Sequence, residues 1–185
     1  AHLFLFITNW IQINSAYFYY ITDKLTMIQA ITETDLTFYL QTEDNRIDTS
    51  VASSSIRYLV KFTNDLDKSI QYAYSDVHLV YNRYTKFSYT YNATPDVYTG
   101  AVNFKPSGYW KYEVYEVSWT GAVAISSGNA PINENDVLPI GPTHGVVQGL
   151  VTKGKMNVSE KDGTQQVQYT QREAPIENNY IYYGQ

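Results

Sequence analysis

The 185-residue chain contains no cysteine, only two methionines, and no cluster of basic residues. Without cysteine there is no disulfide framework, no thiolate zinc or iron–sulfur site and no thiol nucleophile. No apolar run approaches the ~18 residues of a membrane-spanning helix. Thirteen Lys and Arg against eighteen Asp and Glu give a net charge of −5, which argues against a surface that neutralises phosphates. The sequence therefore predicts neither a nucleic-acid partner nor a membrane partner.

The residues that are abundant favour β-strands. Tyrosine accounts for 19 of the 185 residues, and tyrosine, valine, threonine and isoleucine suit a pleated, half-buried surface. Long helices draw instead on alanine, leucine, glutamate, lysine, methionine and glutamine. The composition predicts an all-β protein, and the length fits a single core.

The chain divides into three predicted parts. Residues 1–26 are hydrophobic, lack Gly and Pro, and carry only Asp23 and Lys24 as formal charges. Residues 27–171 are predicted to form a β-sandwich domain, and residues 172–185 an extended tail with a terminal strand. Three interpretations of residues 1–26 remain open: an added strand, helix or arm, a degenerate export signal, or a non-native stretch, because the first methionine is Met27.

From residue 27 onward, short strands alternate with turn clusters at the regular spacing that is typical of a sandwich or barrel. We expect about nine to eleven strands. Those predicted lie at residues 27–31, 36–40, 56–63, 69–74, 77–80, 87–91, 108–119, 122–125, 146–152, 155–158 and 165–170. The segment 108–119 has apolar residues on both alternating faces, so we expect both faces to be covered.

The search for reactive groups predicts no catalytic residue, no metal ligand and no cofactor. His78 follows Asp76 closely, but no nucleophile elbow accompanies this pair, so we interpret His78 as an ordinary strand residue. Asp65, Asp67 and Asp76 lack the spacing of a calcium loop, and Asn and Asp at these positions already serve to turn the chain. The sequence therefore predicts a protein that is not an enzyme.

Tyrosine-rich faces suggest burial against a partner, because tyrosine brings a large contact area at low entropic cost. An equally weighted alternative is a core lined by tyrosines. The tail segment at residues 179–183 is uncharged and prone to form a strand, which predicts a partner strand in its own sheet or on a neighbour. The predicted assembly residues are Tyr72, Tyr74, Tyr89, Tyr91, Tyr180, Tyr182 and Tyr183.

The turn at residues 64–68 and the strand opening at Gly108 resemble the E–F corner and F strand of immunoglobulin-like and fibronectin-type sandwiches. In those folds an aromatic residue near the start of that strand packs back on the core. The fold predicted is therefore an all-β, immunoglobulin-like β-sandwich of short antiparallel strands.

A second resemblance spans residues 27–158. The segments that carry it are YLVKFTND at 58–65, Tyr72 with Ser75 and Asp76, NRYTKF at 82–87, GYWKYEVYE at 108–116, and GLV at 149–151 with Gly154 and Lys155. They resemble small β-rich virion structural proteins of tailed bacteriophages, among them phages of Bacteroidota and crAss-like phages, with the last segment similar to a closing hairpin.

This resemblance implies a non-enzymatic structural protein of the virion, as a capsid-decorating, neck or tail component. The partners of such a protein would be other virion proteins and further copies of itself. The resemblance assigns no functional residue to this chain. The alternative is a secreted or surface β-sandwich that serves adhesion or carbohydrate binding outside the cell. A sugar platform needs coplanar exposed aromatic rings, whereas an assembly face spreads its aromatic residues over a wider area.

Overall fold

The computed structural model describes residues 27–81 and 84–162. These residues form nine strands and two single 3-10 turns, Glu43–Asn45 and Ser53–Ser55. The strands are β1 (Met27–Ile31), β2 (Leu36–Leu40), β3 (Ile56–Asn64), β4 (Ile70–Tyr74), β5 (Val77–Val80), β6 (Thr85–Tyr91), β7 (Ala101–Val102), β8 (Gly108–Ser118) and β9 (Val146–Ser159). In these two ranges no helix is long and apolar enough to cross a membrane. The predicted parts 1–26 and 172–185, and the predicted strand 165–170, lie outside the described residues.

The strands form two sheets that pack face to face, which confirms the prediction of an all-β sandwich. The large sheet has the order β1-β9-β8-β3-β4, and the small sheet has the order β2-β6-β5 with β7 beside β6. Most pairings are antiparallel, but β1 with β9 and β6 with β7 are parallel. Neither parallel pair is joined by a hairpin turn, so packing rather than a turn sets the strand direction.

The space between the sheets is filled by aromatic and branched side chains. Tyr58, Val60 and Phe62 of β3 all point into it, as the alternation in residues 56–63 predicts. Phe38 of the small sheet stacks on its neighbour Phe87 with ring centroids 5.3 Å apart. Each fully buried side chain of this size contributes about 1.5–3 kcal/mol through removal of apolar surface from water.

A second, smaller core lies on the opposite face of the large sheet. Residues 119–145, which we call the covering segment, run across this face between β8 and β9. Val117 of β8 and Trp119, the first residue of this segment, are both completely buried in the second core. The indole N–H of Trp119 donates a hydrogen bond to the carbonyl of Thr143 over 3.2 Å. The prediction that β8 is covered on both faces is confirmed for its C-terminal half.

The strand predicted at residues 122–125 is wrong. This part of the covering segment has no strand pairing, and Val123 and Ile125 instead pack against the second core. An apolar run that crosses a sheet face buries the same side chains as a strand does, so the sequence pattern could not distinguish the two.

The two strands predicted at residues 146–152 and 155–158 are one strand, β9, of 14 residues. The expected closing hairpin is therefore absent from this region. Gly149 has a φ of 147° and lies where two register shifts interrupt the pairing with β8. Gly154 pairs with Tyr112, whose side chain occupies the place that a Cβ at this position would need. Gly149 therefore permits a bulge in β9, and Gly154 permits the close approach of Tyr112. Neither glycine forms a turn.

A buried carboxylate attaches the loop before β3 to the large sheet. Glu116 of β8 is fully buried, and its two oxygens accept hydrogen bonds from the backbone N–H groups of Ile47 at 2.9 Å and Asp48 at 2.7 Å. Buried N–H groups need such partners. This contact holds the loop across one end of the sandwich.

We expect Glu116→Gln to lower the free energy of unfolding by about 1–3 kcal/mol, because an amide replaces one charge-assisted acceptor and leaves a backbone N–H without a good partner. The volume is unchanged, so no cavity forms. Urea denaturation measures the effect. The control is Glu113→Gln on the same strand, whose carboxylate lies 3.8 Å from Lys61 and whose loss costs less than about 1 kcal/mol. Equal stability of the two variants would contradict the proposed role of Glu116.

Candidate assembly surfaces

Two of the predicted assembly residues lie inside the domain. Tyr74 and Tyr89 are each only 1% exposed. The hydroxyl of Tyr74 donates to the carbonyl of Pro131 over 2.8 Å in the second core, and the ring of Tyr89 packs edge-on against Phe62 between the sheets. A partner protein cannot reach either side chain in the folded domain. Their place in the structure corrects the prediction: both line a core.

The other predicted tyrosines do not form one surface. Tyr72 is half-buried on the outer face of the large sheet, and Tyr91 is half-buried at the end of β6 in the small sheet. The backbone N–H of Tyr91 donates to the carboxylate of Asp35 over 2.9 Å. The remaining three, Tyr180, Tyr182 and Tyr183, lie outside the described residues.

Tyr72 belongs to a polar cluster that attaches the covering segment to the large sheet. The ammonium of Lys61 donates to one oxygen of Glu134 over 2.6 Å, and the hydroxyl of Tyr72 donates to the other oxygen over 2.6 Å. Burial opposes ionisation of Glu134, but these two hydrogen bonds outweigh it and hold the pKa of the carboxyl below its ordinary value. The cluster is well placed for a structural role, since its donors and acceptors satisfy one another.

We expect Glu134→Gln to lower the free energy of unfolding at pH 7 by about 1–3 kcal/mol. The folded-state pKa of Glu134 lies below 4.5, so its stabilising effect is present above that pH and is lost as the pH falls through the folded-state pKa. The difference from the wild type should therefore shrink in acid. Urea denaturation at pH 7 and below pH 4.5 tests this.

The control for this prediction is Glu33→Gln, which removes an exposed ion pair with Lys105. Its effect should be the smaller one, because water screens exposed charges. If Glu134→Gln lowered the free energy of unfolding by the same amount at pH 7 and in acid, the prediction would be contradicted. The shape of the side chain, and not its ionised carboxylate, would then account for the effect.

An exposed aromatic cluster, which sequence reasoning missed, lies at one end of the small sheet. Tyr39 of β2 is 55% exposed, and Tyr81 and Tyr84, on either side of the connection between β5 and β6, are 44% and 43% exposed. The ring centroids of Tyr39 and Tyr84 are 5.4 Å apart, and those of Tyr81 and Tyr84 are 4.8 Å apart. Tyr81 and Tyr84 meet within the turn between β5 and β6, where the backbone N–H of Tyr81 donates to the carbonyl of Tyr84 over 2.8 Å. Tyr39 joins them only through the pairing of β2 with β6, which no local pattern indicates.

The neighbouring strand β5 forms an open edge of the small sheet. It pairs with β6 on one side, and among the described residues no strand pairs with its other side. Val77, Leu79 and Val80 are all exposed. A strand edge presents unpaired N–H and C=O groups, and natural proteins usually protect it with charge or proline. The four residues of β5, VHLV, contain neither lysine nor proline. We call β5 together with Tyr39, Tyr81 and Tyr84 the β5 surface.

The outer face of the large sheet is charged where the covering segment does not reach it. Lys111 and Lys155 are paired across β8 and β9, and Asp65 lies 3.4 Å from the first and 4.0 Å from the second. Exposed ion pairs of this kind add little stability.

The aspartates considered for a calcium loop have structural contacts instead. Asp67 accepts a hydrogen bond from the backbone N–H of Ser69. Over the described ranges, no three potential ligands gather in a way that would hold a metal ion.

His78 of β5 points into the sandwich and packs on Tyr58 with ring centroids 5.6 Å apart. Neither ring nitrogen has a hydrogen-bond partner among the described residues, so Asp76 does not orient the ring as a catalytic base requires. Burial, with a smaller effect from Arg57, lowers the pKa of His78 to about 4. His78 is therefore a half-buried side chain that is uncharged at neutral pH.

We expect this burial to make the domain sensitive to mild acid. Because the folded-state pKa is below the ordinary value of 6.5, the unfolded chain takes up a proton first as the pH falls, and stability is lost between pH 6.5 and about 4. In the wild type the free energy of unfolding should fall by on the order of 2–3 kcal/mol over this pH range because of His78, and His78→Leu should abolish this part of the fall. Denaturation curves of both proteins at pH 7, 5.5 and about 4 test this. Parallel stability profiles would contradict it.

Known protein-family models, curated protein sequences and solved structures were compared with this chain, and none matched it. The class of the protein therefore follows from its own architecture, which is that of an all-β sandwich. The feature of this subsection with the chemistry of a contact surface is the β5 surface.

Proposed function

We propose that this protein is a non-enzymatic structural protein of a bacteriophage particle that acts through protein–protein assembly, as a capsid-decorating, neck or tail component. The phage setting rests on the resemblance of residues 27–158. The observation that supports assembly is the β5 surface, where an unprotected apolar strand edge adjoins three exposed tyrosines. Both features gain stability when a partner covers them.

The partner that fits this edge is a second copy of the chain. Antiparallel pairing of β5 with β5 of another copy satisfies the edge backbone groups of both and joins the two small sheets, each of four strands, into one continuous sheet. Such a contact is self-complementary, as a twofold interface requires. Tyr39, Tyr81 and Tyr84 lie beside the same edge and extend the contact area.

Two observations make carbohydrate binding and glycoside hydrolysis weaker candidates. The rings of Tyr39 and Tyr84 stand at 88° to each other, and those of Tyr81 and Tyr84 at 36°, whereas a stacked sugar needs coplanar rings. The carboxylates of Glu113 and Glu116 lie on opposite faces of β8, and Glu116 is occupied by two backbone N–H groups. They do not form the facing pair of a glycoside hydrolase.

The test is a charge placed on the open edge. We expect the wild-type chain to sediment as a dimer or larger species, and Leu79→Lys to sediment as a monomer, because a lysine on the edge strand opposes strand addition. The matched control is Val137→Lys in the covering segment. Val137 is 90% exposed, so the same substitution there should leave both the assembly and the thermal midpoint unchanged.

A wild-type chain that remains monomeric at high concentration would contradict self-association through this edge. Loss of assembly in both lysine variants would assign the effect to net charge and not to β5. A monomer that binds an immobilised glycan, with binding lost on Tyr84→Ser, would support the carbohydrate-binding alternative.

A further inference from the structure

A large open cleft lies between the two sheets at the point where β1 begins. Its volume is about 1000 Å³, and its lining includes Met27, Phe38, Leu40, Tyr112, Lys153 and Gly154. We propose that this cleft receives the tyrosine-rich segment at residues 179–183 of the same chain as an added strand. This inference does not rest on the proposed function, because the β5 surface takes no part in it.

Both sheets end at an open edge beside this cleft. Strand β1 pairs only with residues 155–159 of β9, although β9 begins at Val146. In the part of the chain that the structure describes, nothing pairs with Thr152, Lys153 and Gly154 on the side that β1 occupies farther along. Within the same described ranges, strand β2 is paired with β6 and with no other strand. An added strand would satisfy these backbone groups and cover the apolar lining.

The chemistry of residues 179–183 suits this cleft. The segment NYIYY carries no charge and alternates, so that Tyr180 and Tyr182 share one side. Their rings match a lining of Phe38, Leu40 and Tyr112, while their hydroxyls can remain in water at the rim. The competing segment directly before Met27 contains Asp23 and Lys24. These charges match the apolar part of the lining, Phe38, Leu40 and Tyr112, less well than the uncharged residues 179–183 do.

The path of the chain permits this contact. The backbone N–H of Lys161 donates to the hydroxyl of Thr32 over 3.0 Å, which places the chain after β9 at the turn between β1 and β2. The cleft lies one length of β1 away, about 17 Å for five residues. Residues 163–178 can span up to ~50 Å. A tethered segment has an effective concentration in the millimolar range, which favours the chain's own tail over that of a second copy.

The first experiment uses the full chain and a labelled peptide of residues 178–185. We expect the peptide to bind the double variant Tyr180→Ser/Tyr182→Ser at least tenfold more tightly than the wild type, whose own tail occupies the cleft. Adding Met27→Lys at the mouth of the cleft should abolish this binding. Ile31→Lys is the matched control, because Ile31 is exposed at the other end of β1. Fluorescence anisotropy measures each affinity.

Equal affinity for the wild type and the double variant would overturn the proposal, because the cleft would then be free in the intact chain. Failure of the peptide to bind either protein would also overturn it. The β5 variant Leu79→Lys should bind the peptide as the wild type does, so failure of the proposed function and failure of this inference are distinguishable.

The second experiment uses the absence of cysteine from the chain. Tyr182→Cys combined with Lys153→Cys, treated with a short thiol cross-linker, should give an internally linked monomer. Tyr182→Cys with Val137→Cys is the control that should not link. A linked dimer would assign the cleft to the tail of a second copy, and linkage of Leu25→Cys instead of Tyr182→Cys would assign it to the segment before Met27. Either result would overturn the proposal.

Discussion

The structure depends on the burial of β8, which is covered on one face by the small sheet and, over its C-terminal half, on the other face as well. One face of this strand carries Trp110, Tyr112 and Val114, and the other carries Val117 near the buried Trp119 that follows the strand. The small sheet covers the first face, and the covering segment covers the second. Because β8 also lies between β9 and β3, its backbone is paired on both edges. The C-terminal half of β8 is enclosed on both faces and both edges, and this half is where the two cores share one strand.

Buried polar contacts decide where the irregular segments lie. Apolar burial has no direction, so it would hold a loop against the sheet without defining its position. Glu116 supplies direction for the loop before β3, and the contacts of Glu134 with Lys61 and Tyr72 supply it for the covering segment. Each contact joins residues far apart in the sequence.

The surfaces suited to contact with other segments lie where the sheets stop. The edge at β5 and the cleft beside β9 both combine exposed apolar side chains with backbone groups that no strand of the described residues pairs. The charged outer face around Lys111 and Lys155 differs, because its side chains are hydrated and partly paired with Asp65. A sandwich fold alone does not define a function, and these two edges are what distinguish this sandwich chemically.

The sequence by itself determined the all-β class, the turn at residues 64–68 that connects β3 to β4, and the inward face of β3 with Tyr58, Val60 and Phe62. Turn residues act locally, and alternation repeats every two residues. Tertiary structure alone decided which tyrosines are accessible. Tyr74 and Tyr89 lie in cores, whereas Tyr39, Tyr81 and Tyr84 are exposed, since alternation separates two faces without indicating which one a distant segment will cover. The same reason applies to β9. Whether Gly154 turns the chain or lies opposite a tyrosine depends on Tyr112 of the neighbouring strand.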